Sequence, residues 1–211
     1  MEKFAVIDTE TNWDDEVMSI GVVIADSDTF DALEHKYYIL TPEYKVGGMF
    51  SFSLRIKFDF PCETLECTRA QAISDLSDCL REHNVTKLFA YNACFDYRHL
   101  PELQAYTWYD IMRLAAYRQY NKTIKEEDCC STGRLKRNFG VECMKTMLTG
   151  LRGEKHNALS DAVDELTNIM KPLGHKIGAY IPYIPKNRRT RGKQNEAENK
   201  KIAARSYGMQ A

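Results

Sequence analysis

The sequence predicts an α/β domain built on a mixed five-stranded sheet flanked by helices. Near the N-terminus, three apolar segments rich in β-branched residues follow one another, which is typical of a meander. Beyond them, short apolar strands alternate with segments of helical period as far as Met170. This alternation is typical of layered α/β domains, so we expect both parallel and antiparallel strand pairs.

Five segments have the length and composition of strands. The residues Asp26 to Asp28 form a turn-like polar cluster, so the second and third strands are expected to make a hairpin. The predicted strands are 3–8, 17–25, 34–40, 87–91 and 107–110.

Helices are predicted mainly from the spacing of apolar residues. Thr68 is a suitable N-cap for a helix over 68–82, and Gly140 is expected to end a short helix over 134–139. Further helices are expected from Phe95, through Leu114, and from His156 onward. The aromatic segment 44–60 has no clear period and receives no assignment.

The chain is predicted to contain one globular domain, residues 1–185, followed by a basic and flexible tail, residues 186–211. Hydrophobic residues make up 44% and charged residues 28%, which is ordinary for a globular protein. No apolar run reaches the ~18 residues of a membrane span, and the N-terminus lacks a signal-peptide pattern. We therefore expect a cytoplasmic protein.

The tail differs from the rest of the chain in charge. Between residues 186 and 205 it has eight basic and two acidic residues, whereas the whole chain has a net charge of −1. Three roles remain open: binding phosphate through counterion release, docking a polymerase or another protein, or merely aiding solubility.

Two carboxylates close the first predicted strand. Because Asp8 and Glu10 are two residues apart, they lie on one face of a strand, within reach of one divalent cation. An acidic pair that only caps a turn is the alternative.

Two later motifs supply further candidates. Asp96 follows the fourth predicted strand and is either a metal ligand or an ordinary N-cap. Asp161 and His156 lie on the last predicted helix, where Asp161 is either a ligand or part of a solvated face. Taken together, carboxylates from separate elements and one histidine are the groups that metal-assisted phosphodiester hydrolysis requires.

The three motifs together resemble those of the DEDDh exonucleases, which include the proofreading epsilon subunit of bacterial DNA polymerase III. They are D-T-E-T at 8–11, N-A-x-F-D at 92–96 and H-x-A-L-x-D at 156–161. Residues 109–115 and 135–141 also resemble connecting segments of that family. The resemblance spans residues 3–172 in the family's order.

The resemblance implies an RNase H-like fold and a 3′→5′ exonuclease that uses two Mg²⁺ or Mn²⁺ ions. It implies that His156 is the general base. The implied metal ligands are Asp8, Glu10, Asp96 and Asp161. The residues implied to hold the terminal nucleotide are Thr9, Thr11, Asn92 and Phe95.

The substrate is left open by these motifs. A nucleic acid with a free 3′ end is expected, with DNA favoured and an RNA or short-oligonucleotide substrate as the alternative. An inactive nucleic-acid-binding domain is a further alternative. Many relatives have a glycine soon after the first motif, where this chain has N-W-D-D-E at 12–16. Within this segment Trp13 either stacks on a base or belongs to the core.

Overall fold

The computed structural model describes residues 2–185, and within them six strands form a single mixed sheet. The strands are Lys3–Thr11 (β1), Val17–Asp26 (β2), Ala32–Leu40 (β3), Thr64–Cys67 (β4), Lys87–Ala90 (β5) and Thr107–Asp110 (β6). Their order across the sheet is β4-β3-β2-β1-β5-β6. The strands β1, β2 and β3 are antiparallel neighbours, whereas β4, β5 and β6 each run parallel to the neighbour they join. The predicted mixed α/β class is confirmed.

The sheet has one strand more than predicted. The additional strand, β4, pairs in parallel with β3 at the edge of the sheet, with Tyr37 opposite Thr64. It is only four residues long and none of them is fully buried. The strand β4 is therefore stabilised by pairing with β3 and has no apolar pattern of its own, which is why the sequence did not indicate it.

The helices lie on both faces of the sheet. Helix Arg69–Glu82 (α1) begins as predicted, because Thr68 and Gln71 form a reciprocal capping box. The other helices are Cys94–His99 (α2), Met112–Ala115 (α3), Val141–Thr149 (α4), Ala158–Asp164 (α5) and Lys171–Leu173 (α6). A π-helical segment, Glu165–Met170, joins the last two. Shorter 3-10 turns occupy Glu43–Val46, Ser51–Ser53, Pro101–Leu103, Glu126–Asp128 and Ile177–Ala179.

The predicted helix over 134–139 is wrong. Arg134 and Leu135 instead make isolated β-bridges to Tyr117 and Cys129. Gly140 does not end a helix but precedes α4 as its N-cap, with an extended backbone (φ −70°, ψ 164°). Glycine occurs at both ends of helices, and the extended backbone of Gly140 places it at the start of α4 rather than at the end of a preceding helix.

The last long helix begins later than predicted. Its N-cap is Asn157, whose side-chain oxygen accepts a hydrogen bond from the Ser160 N–H at 3.1 Å. His156 lies before the cap with a left-handed backbone, φ +49°. The loop before α5 therefore presents His156, and the prediction that it begins the helix is wrong.

Two apolar layers enclose the sheet. Along β1, Phe4 and Val6 face one layer, and Ala5 and Ile7 face the other. Helix α1 covers the second layer and α5 covers the first. None of the helices within residues 2–185 is both long and apolar enough to cross a membrane.

Helix α5 crosses β2 very closely at Gly21. A Cβ atom at this position would lie 2.1 Å from the Leu159 nitrogen and 2.2 Å from the Ala158 carbonyl carbon. Only glycine leaves room for this backbone-to-backbone approach. In the register of the sheet, Gly21 stands opposite Asp8, so the contact brings α5 down onto the part of β1 that carries the first motif.

Candidate active site

Strand β1 carries the first two carboxylates. It extends three residues beyond the predicted end, with Glu10 opposite Ser19 of β2, so both acidic residues are within the strand. One carboxylate oxygen from each of Asp8, Glu10 and Asp161 lies within 4.8 Å of the others. The structure thus brings a residue of α5 to the face that the spacing of Asp8 and Glu10 predicted.

Asp96 approaches the same place from α2. It is 1% exposed, and its Oδ1 accepts a hydrogen bond from the Thr9 hydroxyl at 2.8 Å. The N-cap of α2 is Ala93, with no side-chain capping bond, so the alternative of an N-capping role for Asp96 is wrong. Thr9 therefore fixes the orientation of Asp96 beside the β1 carboxylates.

Asp161 is buried rather than solvated, with 4% exposure. Its Oδ2 accepts a hydrogen bond from the Asn157 N–H at 3.1 Å, whereas its buried Oδ1 has no hydrogen-bond partner among residues 2–185. The reading of Asp161 as part of a solvated face is wrong, because the close crossing at Gly21 turns that side of α5 toward the sheet.

The carboxylates share an environment that disfavours their charged forms. Burial, followed by the charge of Glu154, raises the pKa of Glu10 to about 7 and that of Asp161 to about 8. Burial raises the pKa of Asp96 to about 7, and burial together with the neighbouring carboxylates raises that of Asp8 well above its usual value. A cation would relieve both the burial penalty and the repulsion. The hard oxygen donors and the unpartnered Oδ1 of Asp161 fit a divalent metal ion.

His156 borders this cluster. Its ring stacks on Phe50, with centroids 4.1 Å apart and planes inclined by 15°. Its Nδ1 lies 4.0 Å from Glu154 Oε2, and its carbonyl oxygen accepts a hydrogen bond from the Ser53 hydroxyl. The unassigned segment 44–60 therefore holds His156 in place, a role that its irregular sequence pattern did not indicate.

Two further carboxylates were missed by the sequence analysis. Glu165 is 1% exposed, and its Oε2 accepts a hydrogen bond from the Tyr91 N–H at 3.1 Å, at the end of β5. Burial and the charge of Asp96 raise its pKa well above its usual value. Glu165 follows Asp161 by four residues, a spacing that places both on one helix face, and this signal was available. Glu154 lies in the loop two residues before His156, where no periodic signal exists.

A cavity of about 350 Å³ opens beside the carboxylates. Trp13 and Met49 form an apolar part of its wall and are 66% and 64% exposed. The predicted residues that line it are Thr9, Glu10, Thr11, Trp13 and Phe95. Asn92 is exposed and lies outside this wall, with its N–H donating to Asp110 Oδ1 at 3.0 Å. A larger cleft of about 570 Å³ lies beside the turn Glu126–Asp128 and includes none of the predicted site residues.

Asn12 holds Trp13 at the mouth of this cavity. The Asn12 side-chain oxygen accepts hydrogen bonds from the N–H groups of Asp14 and Glu16, both at 2.9 Å. Its amide nitrogen donates to the Glu43 carbonyl at 3.0 Å. The loop is therefore tied down although it is exposed, and Trp13 is not part of the core.

Solved structures with a similar fold are 3′-exonucleases. The nuclease domain of 3′hExo, a DEDDh family member bound to rAMP, has a TM-score of 0.56 at 13% identity, over 87% of this chain and 96% of that chain. A full-length 3′-exonuclease has a TM-score of 0.56 at 14% identity, over 88% and 92%. A 3′-exonuclease that recognises the 3′ end of the histone mRNA stem-loop has a TM-score of 0.55 at 14% identity, over 88% and 72%. No protein-family model and no curated protein sequence matches the chain.

The chain therefore has an RNase H-like fold, as the three motifs implied, and it shares this fold with the nuclease domain of 3′hExo. In this fold β1 and α5 bring Asp8, Glu10 and Asp161 together beside an open cavity, and Asp96 of α2 lies close enough for its charge to raise the pKa of Asp8.

Proposed function

We propose that the chain is a metal-dependent 3′→5′ exonuclease that releases nucleoside 5′-monophosphates from the end of a nucleic acid. The observation that carries the proposal is the convergence of buried carboxylates from three separate elements beside the cavity. The likeness in fold to 3′-exonucleases supports it. An inactive domain is the weaker alternative, because none of the acidic positions of the three motifs is replaced.

The proposed cofactor is a pair of Mg²⁺ or Mn²⁺ ions, which when bound supply Lewis-acid stabilisation of the charge that develops on the phosphate. Oxygen donors of this kind suit both ions. The residues proposed to hold them are Asp8, Glu10, Asp96 and Asp161.

His156 is proposed to take the proton from the attacking water. The water oxygen then forms a bond to the terminal phosphorus, and the bond to the 3′ oxygen of the preceding nucleotide breaks. That oxygen takes up a proton from solvent to become a hydroxyl, and His156 returns its proton to solvent. The stacking of His156 on Phe50 fixes the ring plane, and the left-handed backbone at His156 turns it out of helix α5. The base is thereby held at the border of the carboxylate cluster rather than within it.

The cavity suits a terminal nucleotide of unspecified base. Trp13 and Phe95 offer aromatic surfaces, on which any base can stack. Thr11 belongs to the wall between them and the carboxylates and is proposed to contact the terminal sugar. Thr9 already donates its hydroxyl to Asp96, so only its main chain is available for that role. Asn92 lies outside the cavity wall and is not proposed as a contact.

The sugar preference has two candidates. Single-stranded or frayed DNA is the first, although the three motifs do not separate it from RNA. RNA is the second, because two proteins of similar fold were solved with a histone mRNA stem-loop and with rAMP. Docking of a polymerase through residues 186–211 stays a prediction, because these residues lie outside the described part of the chain.

The test uses 5′-labelled single-stranded DNA and RNA oligomers of equal sequence. Each is incubated with the full chain in Mg²⁺, in Mn²⁺ and in EDTA, beside the variant Asp8→Ala. We expect a ladder that shortens from the 3′ end with wild-type protein and metal only, and the faster oligomer identifies the sugar preference. Folded protein that cleaves neither oligomer with either metal would contradict the proposal.

A further inference from the structure

A second potential metal site lies against the first. Glu154, His156 and Asp161 each offer one ligand atom, and these three atoms lie within 4.8 Å of one another. Two of the three residues come from the loop before α5, and Asp161 is shared with the cluster that contains Asp8 and Glu10.

The donors of the two sites differ in chemistry. The site with Asp8 and Glu10 offers only carboxylate oxygens, which suit Mg²⁺ and Mn²⁺. The site with Glu154 adds an imidazole nitrogen to two carboxylates, and imidazole is a ligand that suits Zn²⁺ better than Mg²⁺. The second site therefore favours a different metal.

Three features around the second site favour the binding of a cation, and the first of them is shared with the Asp8 and Glu10 cluster. Asp161 is 4% exposed, and its Oδ1 is buried with no hydrogen-bond partner within residues 2–185. The side chain of Glu154 is 20% exposed and lies 4.0 Å from His156 Nδ1, too far for a hydrogen bond. The nearby Lys145 is already paired with Asp164 at 2.6 Å. Within residues 2–185, no lysine or arginine forms a salt bridge with Glu154 or Asp161.

Another cluster of metal-ligand side chains, Glu34, Cys79 and His83, lacks these features. Glu34 Oε2 is hydrogen-bonded to His83 Nε2 at 2.6 Å. The ammonium groups of Lys3 and Lys36 lie 3.0 Å from His83 Nδ1 and 3.6 Å from Glu34 Oε1. The ligand atoms of this cluster already have hydrogen-bond or ion-pair partners, and the two ammonium groups repel a further cation. We therefore interpret the cluster as an ion-pair network.

We propose that Glu154, His156 and Asp161 form a Zn²⁺ site that competes with the Mg²⁺ site for Asp161. Zn²⁺ bound there takes up the lone pair of the imidazole that His156 needs to accept a proton. Inhibition of the nuclease by Zn²⁺ is the consequence, and this part rests on the proposed function. The binding of Zn²⁺ at this site does not depend on the proposed function.

The test titrates Zn²⁺ into the full chain by calorimetry, with and without saturating Mg²⁺. Glu154→Gln and His156→Asn each remove one proposed ligand, and we expect each to weaken Zn²⁺ binding about 10-fold or more. Glu142→Gln is the matched control, because Glu142 bonds to the Gly153 N–H in the same loop but is not a ligand. Asp8→Asn removes a ligand of the Mg²⁺ site alone and should keep Zn²⁺ binding while losing the competition by Mg²⁺.

Wild-type affinity for Zn²⁺ in both Glu154→Gln and His156→Asn would overturn the proposal, as would a loss of Zn²⁺ binding in Asp8→Asn alone. The nuclease assay is read separately, as the ratio of rates with and without Zn²⁺ for each variant. An inactive wild-type protein with Zn²⁺ binding that depends on Glu154 and His156 would refute the proposed function and leave the Zn²⁺ site standing.

Discussion

Replacing Gly21 by alanine should disable the site without touching any residue in it. The new Cβ would lie 2.1 Å from the Leu159 nitrogen, whereas ordinary contacts begin at 3.4 Å. Helix α5 must therefore move away from β2 by about 1.3 Å, since the obstructing atoms are backbone and cannot rotate aside. Overpacking of this kind costs about 1–3 kcal/mol of stability.

The displacement also moves Asp161 away from Asp8 and Glu10. Metal ligands tolerate about 0.2 Å, and a misplacement of about 1 Å can reduce a rate about 100-fold. We expect Gly21→Ala to lower the urea midpoint and to reduce metal-dependent cleavage about 100-fold at a temperature where the variant is folded. Gly178→Ala is the control, because apart from its chain neighbours no atom of residues 2–185 lies within 4 Å of its Cβ position. Wild-type stability and cleavage in Gly21→Ala would refute the close-contact reasoning.

Three other perturbations test separate parts of the site. Phe50→Ala removes the ring stacked on His156 and should lower kcat about 10-fold with little change in KM. The control Phe52→Ala, at a residue that is 78% exposed, should leave kcat unchanged, and an equal loss of kcat in both variants would contradict the positioning role of Phe50. Trp13→Ala should raise KM for a short oligomer by a factor that corresponds to the loss of a stacking contact, about 1–3 kcal/mol, and Trp13→Phe should restore the wild-type KM. An unchanged KM in Trp13→Ala would contradict stacking of a base on Trp13. Burial raises the pKa of Asp161 to about 8 in the folded chain without metal, from about 4 in an unfolded chain. The folded state therefore binds more protons between these two pH values, and the free energy of unfolding falls as the pH rises. Urea unfolding in EDTA at pH 5 and pH 8 should show this fall, on the order of a few kcal/mol, and Asp161→Asn should reduce it; stability that rises with pH would be the contrary result.

The sequence predicted the parts of the fold whose order is local. The hairpin of β2 and β3, the capped start at Thr68 and the apolar strand β1 follow from short-range patterns, and the structure contains all three. The edge strand β4 was missed, because it depends on pairing with a distant strand. The helix predicted before Gly140 was wrong, since tertiary bridges determine the path of Arg134 and Leu135.

The candidate site shows the same division. The motif carboxylates were found because each stands in a short motif and the three motifs together resemble those of a known family, and the structure gathers three of the carboxylates within a few ångström. Glu154 and Phe50 were missed because their importance lies in where the fold places them, whereas Glu165 could have been found from its spacing of four residues from Asp161. Phe50 in particular reaches His156 across more than one hundred residues of chain, and no local pattern signals such a contact.

The most direct test is whether Asp8, Glu10 and Asp161 bind a divalent cation together. Free Mn²⁺ can be followed by its electron paramagnetic resonance signal during titration into the full chain, the variant Asp8→Asn and the exposed control Asp14→Asn. We expect wild-type protein and Asp14→Asn to bind Mn²⁺ equally, and Asp8→Asn to bind about 10-fold more weakly or worse. Wild-type protein that binds no Mn²⁺, or Asp8→Asn that binds it as tightly as wild type, would contradict the proposed metal centre.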